Sequence, residues 1–351
     1  MTDNAPRLFP RWRDLLEVRP HDRDHWAALR VGLATAGPLV VLWAIGREDL
    51  TMYAVFGAFT SVYGRNFPHL SRLRLQAIAG SALLLSVALG ALISLSPHRY
   101  GIVIPVAAVW AFGGSLLGDR VRWTPPGPMF QIFGLAGVAG ITATPAQVGQ
   151  GIIAAAASVA WALVIGYAGR LIWRAKEGRL RNPYHTHPPV PPPAHGLWQH
   201  AIMLGCGTLI AGAIPGLIGI GHPYWAMVSM IAALSVSGRY NRVLRATHRF
   251  VGTIIGLGIG AALLALRPEG IVSIILIIVL QGAIELFVVR NYTIALLLIT
   301  PLVLMMGELS GHRPLGELIW ERGVETLIGA VVAVAIAVAA EARRKAGADA
   351  G

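Results

Sequence analysis

Six charged side chains in or beside long apolar stretches are the residues of this sequence best placed to do chemistry. Arg245 and Arg249 stand four apart and so share a helix face. With Arg322 and Arg74 they offer guanidiniums, rigid forks of donors that match a carboxylate. The chemistry they suit is non-covalent: gathering a small anion from water and passing it along a route. Glu285, five residues before Arg290, is a candidate proton carrier, with pairing to Arg290 or outward snorkelling as alternatives. Glu325, beside Glu321 and Arg322 at the start of the last apolar stretch, suits either an exit gate or a cap complementing the helix dipole. Gly252, Gly256 and Gly260, also four apart, make one flat helix face that another backbone can approach closely.

Covalent chemistry finds little support. No Gly-Lys-Ser/Thr cradle for phosphate occurs, and Lys176 and Lys345 are the only lysines. Leu117 stands where a hydrolase elbow around Ser115 needs glycine, and no His-Glu-x-x-His occurs. Cys206 is the only cysteine, which excludes an intramolecular disulfide and a multi-cysteine metal centre. His185, His187 and His195 fall in a proline-rich stretch that lacks the order a metal needs. We expect no enzyme activity, no metal and no cofactor.

The elements that must position these residues are read from composition. The chain is 55% hydrophobic and 13% charged over 351 residues, with mean hydropathy +0.62. A soluble core cannot hide that much apolar surface, so the bilayer is the expected solvent. The net charge of +12 then reports topology rather than nucleic acid. Apolar segments lie near 27–45, 50–64, 75–95, 101–118, 128–143 and 147–170, then near 199–220, 223–237, 250–266, 270–289, 292–307 and 323–340. The expectation is an all-α polytopic membrane protein of about twelve transmembrane helices. The second and fifth segments of each half (50–64, 128–143, 223–237, 292–307) are short for a crossing of about 20 residues, which predicts broken or recessed helices there, or ordinary tilted ones.

The two halves look like copies. Trp26 recurs as Trp198, Tyr53-Ala54 as Trp225-Ala226, Gly80-Ser81 as Gly252-Thr253 and Gln150-Gly151 as Arg322-Gly323, each at an offset of 172. Six crossings per copy, an even number, predict two parallel repeats related by an axis along the membrane normal. The expected domains are a cytosolic tail at 1–25, a first repeat at 26–170, a basic and proline-rich linker at 171–197, a second repeat at 198–341 and a cytosolic tail at 342–351. With both termini inside, twenty-three Lys/Arg fall on cytosolic segments against five in outer loops, with Arg30 inside the first helix. Residues 1–25 lack the apolar core and cleavage site of a secretory signal.

His222-Pro223-Tyr224-Trp225-Ala226, Arg249-Phe-Val-Gly252-Thr253-Ile-Ile-Gly256 and Arg322-Gly-Val-Glu325-Thr-Leu-Ile-Gly329 resemble the fusaric acid resistance protein-like (FUSC) family. The likeness is clear over roughly 198–340 and fainter over 26–170. Its relatives include bacterial aromatic acid exporters, and plant aluminium-activated malate channels are distantly similar. The resemblance implies efflux of small organic anions, aromatic carboxylates among them, from a bacterial-type inner membrane, through a passage between the repeats and with optional proton coupling. A passive anion channel and a non-transporting scaffold are the alternatives. Partners implied are the bilayer and the anion, with self-association or an accessory efflux subunit left open. Ala77 replaces Arg249 and Gln150 replaces Arg322 in the first repeat, so the halves need not contribute equally.

Overall fold

The computed structural model describes residues 10–20, 24–177, 194–220, 223–310 and 315–349, and every regular element among them is helical. A short α1 (Trp12–Leu16) precedes six helices of the first half: α2 (Asp24–Ala44), α3 (Thr51–Ala58), α4 (His69–Ser94), α5 (Arg99–Val121), α6 (Met129–Ala139) and α7 (Pro145–Glu177). Six more follow: α8 (Ala194–Leu217), α9 (Tyr224–Leu234), α10 (Arg239–Ala265), α11 (Ile271–Phe287), α12 (Tyr292–Ser310) and α13 (Leu315–Asp349). Each of the twelve apolar segments is therefore a helix. Most of the linker, with His185 and His187, lies outside the described residues, as do His222 and Arg313.

Against the expected twelve crossings, eight helices among the described residues, α2, α4, α5, α7, α8, α10, α12 and α13, are long and apolar enough to cross a bilayer. Three of the four segments expected to be short are so: α3 has 8 residues before a 3-10 turn at Phe59–Val62, and α6 and α9 have 11 each. The fourth, α12, is a 19-residue helix that carries Pro301 inside it. The helix that falls short instead is α11, at 17 residues. Proline and glycine set the bounds of α6, which starts after Pro128 and ends at Gly140.

The short helices sit innermost. All eight residues of α3 are buried, as are Gln131–Ala139 of α6 and Trp225–Leu234 of α9. A helix apolar on every side belongs in an interior, and one surrounded by protein need not match the bilayer's thickness. The long helices do the opposite and turn Val41, Val109, Ile255 and Val331 outward. Outward branched aliphatics on α2, α5, α10 and α13 suit hydrocarbon rather than water.

Packing partners correspond between the halves. α3 lies along α7 as α9 lies along α13; α4 meets α6 and α7 as α10 meets α12 and α13. The first helix of each half packs across the halves as well as within its own: α2 on α11 besides α3 and α7, and α8 on α5 besides α9 and α13. Both cross-half contacts carry polar pins. On one, Arg65 donates to Asp24 Oδ1 at 2.5 Å and to Glu285 Oε2 at 2.8 Å. On the other, His200 Nδ1 lies 3.2 Å from Asp119 Oδ2 and 3.3 Å from Ser115 Oγ.

Candidate functional site

The site begins with the face of α10 on which Arg245, Arg249, Gly252, Gly256 and Gly260 follow one another. Gly238 turns the chain into this helix with φ +85°, a left-handed backbone that favours glycine. α12 runs parallel along the glycines. A Cβ built at Gly256 would lie 2.8 Å from both Leu296 O and Thr300 Cβ, and one at Gly260 would lie 3.2 Å from Pro301 Cα. The glycine stripe thus serves close helix packing, and that closeness brings Tyr292 of α12 up to the arginines.

Arg245 lays its guanidinium 3.7 Å from the centre of the Tyr292 ring. Arg249, 5% exposed, donates from Nε to Ser229 Oγ and from Nη1 to Tyr292 OH, each at 2.9 Å. Arg322 arrives from the other end of the membrane on α13, with its guanidinium 3.6 Å above the Trp225 ring. It is 2% exposed, and its hydrogen bond from Nη2 to Thr300 Oγ1 is long at 3.4 Å. Among the described residues, Arg322 Nε and Nη1 have no hydrogen-bond partner. Cation–π contact of this desolvated kind contributes about 2 kcal/mol, well short of what a buried guanidinium loses on leaving water.

Arg249 lies ten residues into α10 and Arg322 seven into α13, depths of roughly 15 and 10 Å at 1.5 Å per residue. Arg249 and Arg322 interact electrostatically as like charges. Glu325, fully buried, accepts the Trp225 backbone N–H at 3.0 Å and so holds the start of α9 under Arg322. It is the one buried carboxylate among the described residues of α9, α10, α12 and α13. Positive charge is therefore in excess across these four helices.

This arrangement belongs to the second half, not to the surface between the halves where the sequence placed a passage. The halves meet one aromatic layer away: Trp225 packs on Phe133 of α6 at 5.1 Å between ring centres, and Phe133 on Phe56 at 4.9 Å. Arg74 is not brought to the group and is exposed on α4. Its neighbour Arg72 turns inward and donates to Gly166 O at 2.9 Å. Glu285 pairs with Arg65, not with Arg290, whose Nε donates to Arg19 O at 2.9 Å. In the first half, Gln150 stands in Arg322's place and accepts from Arg47 at 2.7 Å. Arg47, in the loop between α2 and α3, also donates to Asp49, which holds its pKa above the ordinary arginine value.

The sequence missed Tyr292, Ser229 and Thr300, the hydroxyls that receive the guanidiniums. The available signal was a polar run, Asn291-Tyr292-Thr293, directly after Arg290 where an apolar segment opens. A cavity of about 260 Å³ lies elsewhere, between α2, α3 and α7, lined by Gly37, Pro38, Ala54 and Trp161 among others, and none of the three arginines lines it.

Comparison with known proteins supports the resemblance read from the motifs. Residues 209–336 match the model of the family described as fusaric acid resistance protein-like, a span that contains Arg245, Arg249, Glu285, Arg322 and Glu325. The chain is 28% identical over 154 residues to the uncharacterized membrane protein YvaC of Bacillus subtilis (strain 168), covering 44% of this chain and 23% of that protein. It is 29% identical over 143 residues to the inner membrane protein YccS of Escherichia coli (strain K12), covering 40% of this chain and 19% of that protein. The chain thus spans about a fifth of the length of these curated relatives. No solved structure matches it. The protein is a multi-pass membrane protein, helical in every regular element among the described residues, and residues 209–336 of its second half are similar to the fusaric acid resistance protein-like family.

Proposed function

For a membrane chain with this likeness, we propose outward movement of small organic anions, aromatic carboxylates among them, along the series Arg245, Arg249 and Arg322. The observation that carries this reading is Arg322: a guanidinium buried to 2% exposure, with two N–H groups lacking partners. Buried charge inside a membrane protein is expensive and marks solute routes. A carboxylate arriving there would supply the bidentate acceptor that the fork geometry fits.

The route runs from the cytosolic end of α10 toward the outer end of α13. Arg245 meets the anion first, Arg249 takes it beside Ser229, and Arg322 receives it under Trp225 with Thr300 alongside. Tyr292 holds both inner guanidiniums meanwhile, so the phenol must give way for an anion to enter. Arg249 and Arg322 are enclosed, which makes this an occluded state and favours a carrier over an open pore. Two parallel six-helix repeats supply the frame in this reading. Support comes from packing partners that correspond between the halves and from the matching cross-half contacts α2–α11 and α5–α8.

Glu285 is the proton site in this account. It shares Arg65 with Asp24 across the α2–α11 contact, and a proton on either carboxylate would weaken that pin. The test is purified protein in vesicles loaded with labelled benzoate. A proton gradient should drive flux above that of empty vesicles. Steady currents without a gradient would replace the carrier with a channel, and absence of both would end the transport reading.

A further inference from the structure

The inner end of the arginine series is covered by a segment from the other end of the chain. Residues 11–19, ahead of the first membrane helix, cross the starts of α10 and α12. Asp14 Oδ2 accepts from Tyr240 OH at 2.6 Å. Asn291 Nδ2 donates to Leu15 O at 2.9 Å and to Glu17 O at 3.0 Å. Arg19 and Arg290 exchange a pair of bonds, Arg19 N to Arg290 O at 3.1 Å and Arg290 Nε to Arg19 O at 2.9 Å. Leu15 is buried, while Trp12 and Leu16 on the same short helix face outward.

The partners these contacts choose are telling. Tyr240 lies five residues before Arg245, and Asn291 adjoins Tyr292, the residue on which Arg245 and Arg249 both rest. Asp14 and Arg19 are close enough to act electrostatically on His248 and Arg245 respectively. A fixed anchor would need a broad apolar footing, whereas the footing of this segment among the described residues includes one buried leucine, and several of its hydrogen bonds lie at exposed or half-buried groups. Such bonds contribute about 0.5–1.5 kcal/mol each, and local opening of weakly held segments is common.

We propose that residues 11–19 are a releasable strap that closes the cytosolic end of the arginine series, with Asn291 and Tyr240 as its clasp. This rests on the transport reading for its consequence but not for its geometry. While the strap is down it obstructs the approach to Arg245, which is half-buried; when it lifts, the carbonyls of Leu15 and Glu17 leave Asn291 and the mouth of α10 is open.

The test uses the whole chain in vesicles with Cys206→Ala and Leu15→Cys, so that maleimide labelling reports whether the buried position has opened. Asn291→Asp keeps the oxygen that accepts the Ile294 N–H at 3.0 Å and so keeps the first turn of α12. It replaces the donor to the strap with an oxygen that repels carbonyls. Labelling should quicken by roughly tenfold, and benzoate flux should rise with it. Asp14→Ala with Tyr240→Phe should do the same if Asn291→Asp folds poorly. Joining Asp14→Cys to Tyr240→Cys with a reducible bis-maleimide should stop flux until the linker is cut. A thiol at 15 labelled as fast in the parent as in the variants, or flux undiminished by the cross-link, overturns the strap. Faster labelling with no benzoate movement in any form would leave the strap standing and count against transport.

Discussion

Arg249 makes two directed hydrogen bonds, to Ser229 and Tyr292, at angles only a planar fork can satisfy together. Lysine carries the same charge on a single point and cannot hold both hydroxyls. Arg249→Lys should therefore lose transport nearly as fully as Arg249→Ala, by roughly 10- to 100-fold for a charged hydrogen bond of about 1.5–3 kcal/mol, measured as benzoate flux. Trp225→Leu should lower flux as well, because it removes the ring on which Arg322 rests. Single residues of this kind were legible in the sequence by type alone: arginine and glutamate stand out against an apolar background. Their partners were not. Arg65 and Glu285 are 220 positions apart, and nothing in either neighbourhood names the other.

Among the elements, α10 and α12 depend on absent side chains. Gly256→Ala would push a methyl against Leu296 O and Thr300, and overpacking of that kind costs about 1–3 kcal/mol. Gly258, two residues on, faces open space, and alanine there should leave stability unchanged or raise it by up to about 1 kcal/mol. Thermal unfolding of the two variants in detergent should separate them, with Gly256→Ala lower. Equal melting would deny the close contact. Helix positions were readable from apolar runs, and the glycine spacing foretold a packing face. Helix lengths were less so: α3, α6 and α9 look like weak spans in sequence because burial inside protein, which sequence does not display, removes the need to match the bilayer. α12 drew the same reading and departs from it, because its helix continues past Pro301 to Ser310.

At the scale of the molecule, the cross-half contacts α2–α11 and α5–α8 join the two halves, with α6–α9 between them. Arg65 is the half-buried cation on the first of these, and Arg65→Met would take from the buried carboxylates of Asp24 and Glu285 the cation they share. Breaking a buried pair in this way costs about 3–5 kcal/mol, so the variant should show a large drop in folded yield and melting temperature. A stability equal to the parent's would mean the pin is ornamental. The landmarks at offset 172 did not foretell the cross-half contacts of α2 and α8, because an offset says which residues correspond and not which helices touch. The same limit misplaced the arginine series: sequence put it between the halves, and the structure builds it from α9, α10, α12 and α13.

The central claim is that buried guanidiniums of the second half carry the anion. The most direct measurement is the initial rate of labelled benzoate movement through purified protein in vesicles, comparing the parent with Arg322→Gln, which keeps a polar group and removes the charge. With folding confirmed by melting, the account predicts a fall of at least roughly tenfold. A rate equal to the parent's, from a folded variant without that charge, would contradict it.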